Sequence, residues 1–436
     1  MTLIIALLSC LGTLLVALFK PKLKIKEYEF CILFLPALIG SLILLFSGLL
    51  PWNEIVTGLT PDSPINPLKI LVLFISTALI SVFLDEVGFF RWLANYAIKK
   101  SKGNQFRLFV ILYFIVSVLA VFMSKNVVIL TITPIVCYYV RSAKIYPIPL
   151  LFTIFIAANT ACMLLIIGNT TNIYLGTLAG IDFISYLKVM TIPTIFAVMI
   201  AFFSLWFLFK DKLKRKLSST SETVIIEQKA FLFLSLTVLI TCIVLFTISG
   251  YINQPKWLIS FYCLCALLIG IVIISSFKKR IPVELFSTIR RTPWEVVPLV
   301  LSMFVIVLAL ESTGVAEKIK NIINIGNPYF SYGISSTVLA NLMNNIPMSV
   351  LFSSLVSGCE DILLKTYITI ISSNIGAYLT PIGSLAGIMW LSIVRNNLSL
   401  YTFDFKEFTK LGCLVGIPTL IASLFGLWIV ERLNIF

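Results

Sequence analysis

Runs of apolar residues long enough to cross a lipid bilayer constrain this chain more than any other feature. Three of them are Phe30 to Leu50, Phe231 to Gly250 and Leu411 to Val430. A membrane-spanning helix needs about 20 such residues. Of the 436 residues, 59% are hydrophobic and 12% are charged, and a soluble domain of that length could not bury so much apolar surface. We therefore expect an all-α, multi-pass protein of the cell membrane.

The apolar runs predict ten crossings and two hairpins. The crossings are expected at 2–19, 29–50, 68–84, 149–176, 190–209, 230–250, 258–277, 296–311, 365–394 and 411–430. If they alternate in direction, one side of the membrane receives 25 of the 33 Lys and Arg residues. The positive-inside rule makes that side cytoplasmic and both chain termini extracytoplasmic. The net charge of +14 then belongs to cytoplasmic loops, and no nucleic-acid partner is expected.

The two remaining apolar segments are predicted to be re-entrant hairpins. Segment 108–140 has basic residues at both ends, and only a hairpin that enters and leaves on the cytoplasmic side keeps both clusters inside. Segment 330–357 has few basic residues around it and is expected to enter from outside. The predicted tips are Ser124, Lys125 and Asn126 in the first hairpin and Met343 to Pro347 in the second, with Asn344 and Asn345 as its polar residues.

The chain also repeats itself. FIAANTACMLLIIGNTTN (155–172) corresponds to IISSNIGAYLTPIGSLAG (370–387), and in both an Asn precedes a Gly by nine residues. FLDEVGFF (83–90) has a weaker counterpart in LALESTGVAEKI (308–319). With the expected topology, the matching elements run in opposite directions. We predict two inverted halves, 1–209 and 230–436, each with a hairpin and a broken helix (149–176 and 365–394), joined by a basic cytoplasmic linker, 210–229.

The hairpin tips and helix breaks are the predicted substrate site. Irregular backbone is tolerated at membrane depth only where protein or a watery cavity satisfies it, and interrupted helices at corresponding places of two inverted halves indicate a transporter's binding site. The alternative is that these amides and hydroxyls only bond neighbouring helices. Asp85, Glu86 and Glu311, at helix ends, are equally compatible with a solvated, gating or binding role. The candidate substrate-binding residues are Ser124, Lys125, Asn126, Asn159, Gly168, Asn169, Thr170, Thr171, Asn344, Asn345, Asn374, Thr380, Pro381, Gly383 and Ser384.

From about residue 70 onward, several motifs resemble the ArsB-type arsenite and antimonite efflux permeases of the ion transporter superfamily. They are FLDEVGFFRW, LTITPIV, NTACMLLIIGNTTNI, MNNIPMSVL and LTPIGSLAGIMWL, in that order. The resemblance implies two re-entrant hairpins, broken helices and extrusion of trivalent arsenic, driven by a proton gradient or by a soluble ATPase partner. The sequence departs from that family at three acidic positions, which here are Asn126, Asn159 and Asn374.

Tyr378 stands where the family has a Lys, and Lys125 is a further departure, because it places an ammonium at a hairpin tip where the family has none. It lies 18 residues from Arg107 and 16 from Arg141, with no charge between. Ionisable residues inside a membrane are costly and usually functional. Lys125 is therefore our candidate coupling group, exchanging a proton in each cycle. It could instead be a fixed charge that attracts an anionic substrate, or a side chain that reaches water or turn carbonyls without a further role.

The leading prediction is a secondary active transporter that exports arsenite or antimonite, coupled to the proton gradient by alternating access. The alternative is an inorganic or organic anion transporter of the same superfamily, and a passive channel in which Lys125 sets anion selectivity also remains open. The expected partners are a small solute and lipid, with a homodimer left open. We expect no enzyme activity, metal or cofactor, since the chain has no His and almost no acid at membrane depth.

Overall fold

A computed structural model describes residues 1–19, 22–25, 28–32, 34–59, 66–214, 226, 228–249, 251–398 and 405–435. Within these ranges the chain forms twenty α-helices and one β-hairpin. The elements of the first half are α1 Thr2–Phe19, β1 Lys22–Ile25, β2 Tyr28–Cys31, α2 Leu35–Phe46, α3 Trp52–Leu59, α4 Pro67–Glu86, α5 Phe89–Lys100, α6 Gln105–Phe122, α7 Lys125–Ser142, α8 Ile148–Ala161, α9 Thr170–Leu178 and α10 Phe183–Phe209. Those of the second half are α11 Lys229–Ile248, α12 Lys256–Phe277, α13 Val283–Arg291, α14 Val296–Ser312, α15 Val315–Ile323, α16 Pro328–Met343, α17 Asn345–Val356, α18 Ile362–Gly376, α19 Leu385–Asn397 and α20 Phe405–Arg432.

Seven helical segments in the described part of the chain are long and apolar enough to cross a membrane. They are α4, α6, α10, α11, α12, the stretch Val283–Ser312 that contains α13 and α14, and α20. The prediction of an α-helical, multi-pass membrane protein is thereby confirmed. Several other predicted crossings are made of shorter helices, because turns divide them.

Residues 22–46 differ from the prediction. Strands β1 and β2 pair antiparallel, with Lys22 opposite Cys31 and Ile25 opposite Tyr28, and α2 covers only Leu35–Phe46. The expected crossing at 29–50 is therefore wrong at its start, and the all-α prediction is wrong for this hairpin. Apolar and lysine residues alternate in β1, a period of two that suits a strand.

The two halves present the same order of helices after their first crossings. Helices α5 and α15 both follow a glycine with positive φ, 94° at Gly88 and 69° at Gly314. In each half a pair of helices follows, then an interrupted helix, then one long helix, α10 or α20. Helix α6 packs on α8 as α16 packs on α18. Of the predicted linker 210–229, residues 215–225 and 227 lie outside the described part of the chain.

The interrupted helices lie at the centre of the molecule. Every residue of α8 is buried, and so is the second half of α18. The long helices α10 and α20 pack along each other, where Ser423 Oγ donates to the Pro193 carbonyl at 3.1 Å. A Cβ on Gly426 would lie 2.9 Å from Pro193 Cα, so a glycine lets the two backbones approach closely.

Candidate functional site

Both interrupted helices have a closely packed glycine at the interruption. After α8 ends at Ala161, the chain makes a 3-10 turn at Ile166–Gly168 before α9 begins. A Cβ on Gly168 would lie 2.1 Å from the Cys162 carbonyl oxygen. In the second half, a Cβ on Gly383 would lie 2.7 Å from Asn341 Oδ1. At Gly168 the neighbouring atom is backbone, so only a residue without a side chain fits there.

Asn374 joins the two interruptions. Its Oδ1 accepts a hydrogen bond from Asn169 Nδ2 at 2.8 Å, and its Nδ2 donates to Asn172 Oδ1 at 2.7 Å. Asn172 Nδ2 donates to the Cys162 carbonyl at 3.0 Å. Because Asn374 is on α18 and the other residues belong to the first half, this buried amide network connects the halves.

The second hairpin tip packs against both interruptions. The amide of Asn345 donates to the Gly383 carbonyl at 3.2 Å, and Thr171 Oγ1 donates to the Asn345 carbonyl at 3.3 Å. Asn344 holds φ 75° and ψ 152°, and its Nδ2 donates to the Ile382 carbonyl at 3.4 Å. A positive φ outside glycine is strained, and such strain concentrates at functional sites.

The first hairpin tip carries a buried ammonium. Helix α6 ends at Phe122 and α7 begins at Lys125, so the predicted tip lies between the two helices. Lys125 is 1% exposed, and no described residue accepts a hydrogen bond from its Nζ. The ammonium therefore neither reaches the surface nor meets a turn carbonyl of the described chain. It is close enough to the Cys162 thiol to interact with it electrostatically.

We call the tips and interruptions together the junction, comprising 124–126, 159–172, 344–345 and 374–384. Its buried polar atoms without a hydrogen-bond partner among the described residues include Lys125 Nζ, Asn126 Oδ1, Asn159 Oδ1 and Asn345 Nδ2. Buried polar groups are normally hydrogen-bonded, so a cluster of orphan donors and acceptors is typical of a binding site. No Asp or Glu occurs in the four stretches.

Four helices begin at the junction: α7, α9, α17 and α19. Their unpaired N–H groups give each helix start a partial positive charge. Ser384 caps α19 by accepting from the Gly387 amide at 3.2 Å. Ser124 precedes α7 and makes no side-chain capping hydrogen bond, and Thr170 is the first residue of α9. Pro381 lies in the second interruption, where its backbone nitrogen has no proton to donate.

Three acidic residues were ambiguous in sequence, and two of them are ion-paired away from the junction. At the C-terminal end of α4, Asp85 Oδ2 accepts from Thr131 Oγ1 at 2.6 Å and pairs with Arg291 Nη2 at 2.7 Å. Arg291 also binds Glu86. Helix α4 is thereby joined to α7 of the first hairpin and to α13 of the second half. Glu311, in contrast, is exposed.

A cavity of about 520 Å³ lies at the opposite end of α4. Its polar lining includes Lys69 on α4, Asp182 in the α9–α10 turn and Lys256 at the start of α12. Lys256 Nζ donates to the Ile181 carbonyl at 2.5 Å. Helix α9 starts at the junction and ends beside this cavity, and its nine residues separate the two by roughly 13 Å.

Comparison with known proteins identifies the family. The family model described as citrate transporter matches residues 31–367. The chain belongs to the citrate transporter family. The arsenical pump membrane protein of Escherichia coli is 24% identical over 371 residues, which cover 81% of this chain and 84% of that protein. The putative arsenical pump membrane protein of Bacillus subtilis is 23% identical, with 83% and 87% covered.

A solved structure shares the fold. The YdaH transporter of Alcanivorax borkumensis superimposes with a TM-score of 0.56 at 14% identity, over 99% of this chain and 98% of that one. The resemblance to ArsB-type proteins is confirmed as a distant one. The chain is a secondary transporter of the citrate transporter and arsenical pump type.

Three residues of the site in this member of the citrate transporter family were not among the candidates predicted from the sequence. Asn341, on α16, accepts from Thr380 Oγ1 at 2.6 Å and donates to the Gly376 carbonyl at 2.8 Å, so it holds the second interruption in place. Asn172 closes the first interruption, and its position in the GNTTN motif was an available signal. No sequence signal marked Cys162, because it lies among apolar residues.

Proposed function

We propose that this citrate transporter family member exports arsenite or antimonite by alternating access, driven by the proton gradient. The observation that carries the proposal is the set of neutral amide, hydroxyl and thiol groups at the junction, buried and partly without partners. Arsenous acid is a neutral trihydroxide, so it can both donate to and accept from such groups. A substrate of this kind supplies the missing hydrogen bonds without bringing an uncompensated charge into the membrane.

The repeated helix order supports alternating access. We take the halves 1–209 and 230–436 as inverted repeats, with α6–α7 and α16–α17 as re-entrant hairpins from opposite sides and both termini extracytoplasmic. The helix breaks then lie near the middle of the membrane, where transporters of this design bind their substrates. The 520 Å³ cavity would be the outer vestibule, since the residues around it fall on the predicted outer side.

Lys125 is assigned the coupling role. It is the single ionisable residue at either hairpin tip, and a proton-coupled carrier needs a group that changes charge during its cycle. In the proposed mechanism Lys125 binds a proton on one side of the membrane and releases it on the other. The family resemblance also allows a soluble ATPase to drive export at the cytoplasmic loops.

The charge at the junction favours a second candidate, an anion carrier. Four helix starts and one ammonium surround a site without a carboxylate. That arrangement would stabilise an anion, and the family is described by citrate transport. In this second candidate Lys125 is a fixed counter-charge and exchanges no proton.

Proteoliposomes that contain only the purified chain separate the candidates. We expect arsenite uptake to follow an imposed pH gradient and to collapse with it, without any ATPase present. Lys125→Met should abolish the pH dependence. Lys214→Met should not, because Lys214 is exposed and pairs only with Asp211 in the described chain. Absence of arsenite uptake, together with citrate or phosphate exchange, would refute the export proposal and support the anion carrier.

A further inference from the structure

The Cys162 thiol lies inside the junction, in an environment unlike that of a packed cysteine. It is fully buried, and its single S–H is shared between two acceptors, the Asn159 carbonyl oxygen 3.2 Å from Sγ and Asn374 Oδ1 3.3 Å from Sγ. Cys162 is the C-cap residue that follows α8, at the start of the first interruption. These contacts place a sulfur atom between the two broken helices.

Two residues that interact with Cys162 each have a buried polar side-chain atom without a hydrogen-bond partner among the described residues. Lys125 Nζ is within electrostatic reach of Cys162 and has no hydrogen-bond partner among the described residues. Asn159, whose carbonyl oxygen is one of the two acceptors of the thiol, is completely buried and has a side-chain Oδ1 without a partner among the described residues. A solute that carries hydroxyl groups and binds sulfur would supply a partner both to this donor and to this acceptor.

We propose that Cys162 is a specificity-determining ligand, whose sulfur binds the trivalent arsenic or antimony atom while Lys125 and Asn159 hold its hydroxyl groups. This inference rests on the proposed function and narrows it to soft, thiol-binding metalloids. Thiolate sulfur is the protein ligand preferred by soft metals. The amides of the junction alone could not distinguish arsenous acid from other small neutral hydroxides.

The binding step is a ligand exchange with no redox change. The Cys162 S–H bond and one As–OH bond break, an S–As bond forms, and the thiol proton leaves with the displaced hydroxide as one water molecule. Water reverses the step on the other side of the membrane and regenerates the thiol. A single sulfur ligand suits a carrier, because a transported solute must be held firmly enough to enter and weakly enough to leave.

X-ray absorption at the arsenic edge tests this directly. The full chain has nine cysteines, so we would compare a variant that retains only Cys162 with a cysteine-free variant, both purified in detergent with arsenite. We expect a sulfur neighbour around arsenic in the first variant and oxygen neighbours alone in the second. The measurement needs no transport activity, and it remains decisive if single substitutions reduce the rate.

Transport by the otherwise unaltered chain gives the second readout. Cys162→Ser should raise the KM for arsenite by about tenfold or more, the loss expected on removal of a coordinating interaction. Cys265→Ser is the matched control, since Cys265 lies on α12 away from the junction. The inference about Cys162 would be overturned, and the proposed function kept, by three results together. The wild-type chain would transport arsenite, the arsenic in the Cys162-only variant would have no sulfur neighbour, and Cys162→Ser would leave the KM unchanged. A wild-type chain that neither binds nor carries arsenite would overturn the proposed function as well.

Discussion

Arg291 makes the ion pair whose loss should be most visible in stability. The Asp85 side chain is 2% exposed and the Arg291 side chain 40% exposed. Removing one partner of a fully buried pair costs about 3–5 kcal/mol, because the other charge stays buried. Solvent around Arg291 screens part of this interaction, so we expect Arg291→Met to destabilise the protein by about 2 kcal/mol.

The remaining partner of Asp85 cannot compensate. Thr131 Oγ1 is already bonded to Asp85 Oδ2, and Asp85 Oδ1 has no partner among the described residues. Adding Asp85→Asn to Arg291→Met removes the uncompensated charge. We therefore expect the double variant to be more stable than Arg291→Met alone, an interaction that a double-mutant cycle measures.

Heat unfolding in detergent, followed by size-exclusion chromatography, is a suitable assay. About 2 kcal/mol should lower the midpoint by roughly 2–4 °C in a chain of this size. Lys214→Met is the control, since Lys214 and its partner Asp211 are 75% and 73% exposed and such pairs contribute little. A midpoint unchanged by Arg291→Met, or a double variant less stable than the single one, would refute this account of the ion pair.

Two further predictions concern the helix breaks. Gly168→Ala should lower the free energy of unfolding by about 3 kcal/mol, because its Cβ would lie 2.1 Å from the Cys162 carbonyl oxygen. The folded peak in size-exclusion chromatography should then be lost, and a normal yield of folded protein would contradict this prediction. Asn374→Asp should lower the unfolding midpoint at neutral pH, because two acceptors would face each other across the 2.7 Å contact with Asn172. That loss should shrink as the pH falls and the new acid regains a proton, whereas a pH-independent midpoint would refute the reasoning.

The sequence could locate the tips and interruptions, because they break apolar runs with residues that weaken a helix. Pro381 and the paired glycines, Gly168 and Gly383, mark these places without reference to any other part of the chain. Hydropathy could not separate strand from helix at Tyr28–Cys31, since a short apolar segment fits both. The ion pair of Arg291 with Glu86 joins residues 205 positions apart, and no local pattern carries that information.

The thiol shows why the composition of the site was harder to predict than its position. In sequence, Cys162 is one of many small apolar residues, and a buried cysteine usually only packs. Its surroundings depend on where α8 ends, which is fixed by the contact of Gly168 with its carbonyl and by the donation from Asn172. They depend also on Asn374, which comes from the other half of the chain. The chemical character of the junction thus depends on the contact between the end of α8 and α18. These two segments are more than 200 residues apart in the sequence, so no local sequence pattern predicts the contact.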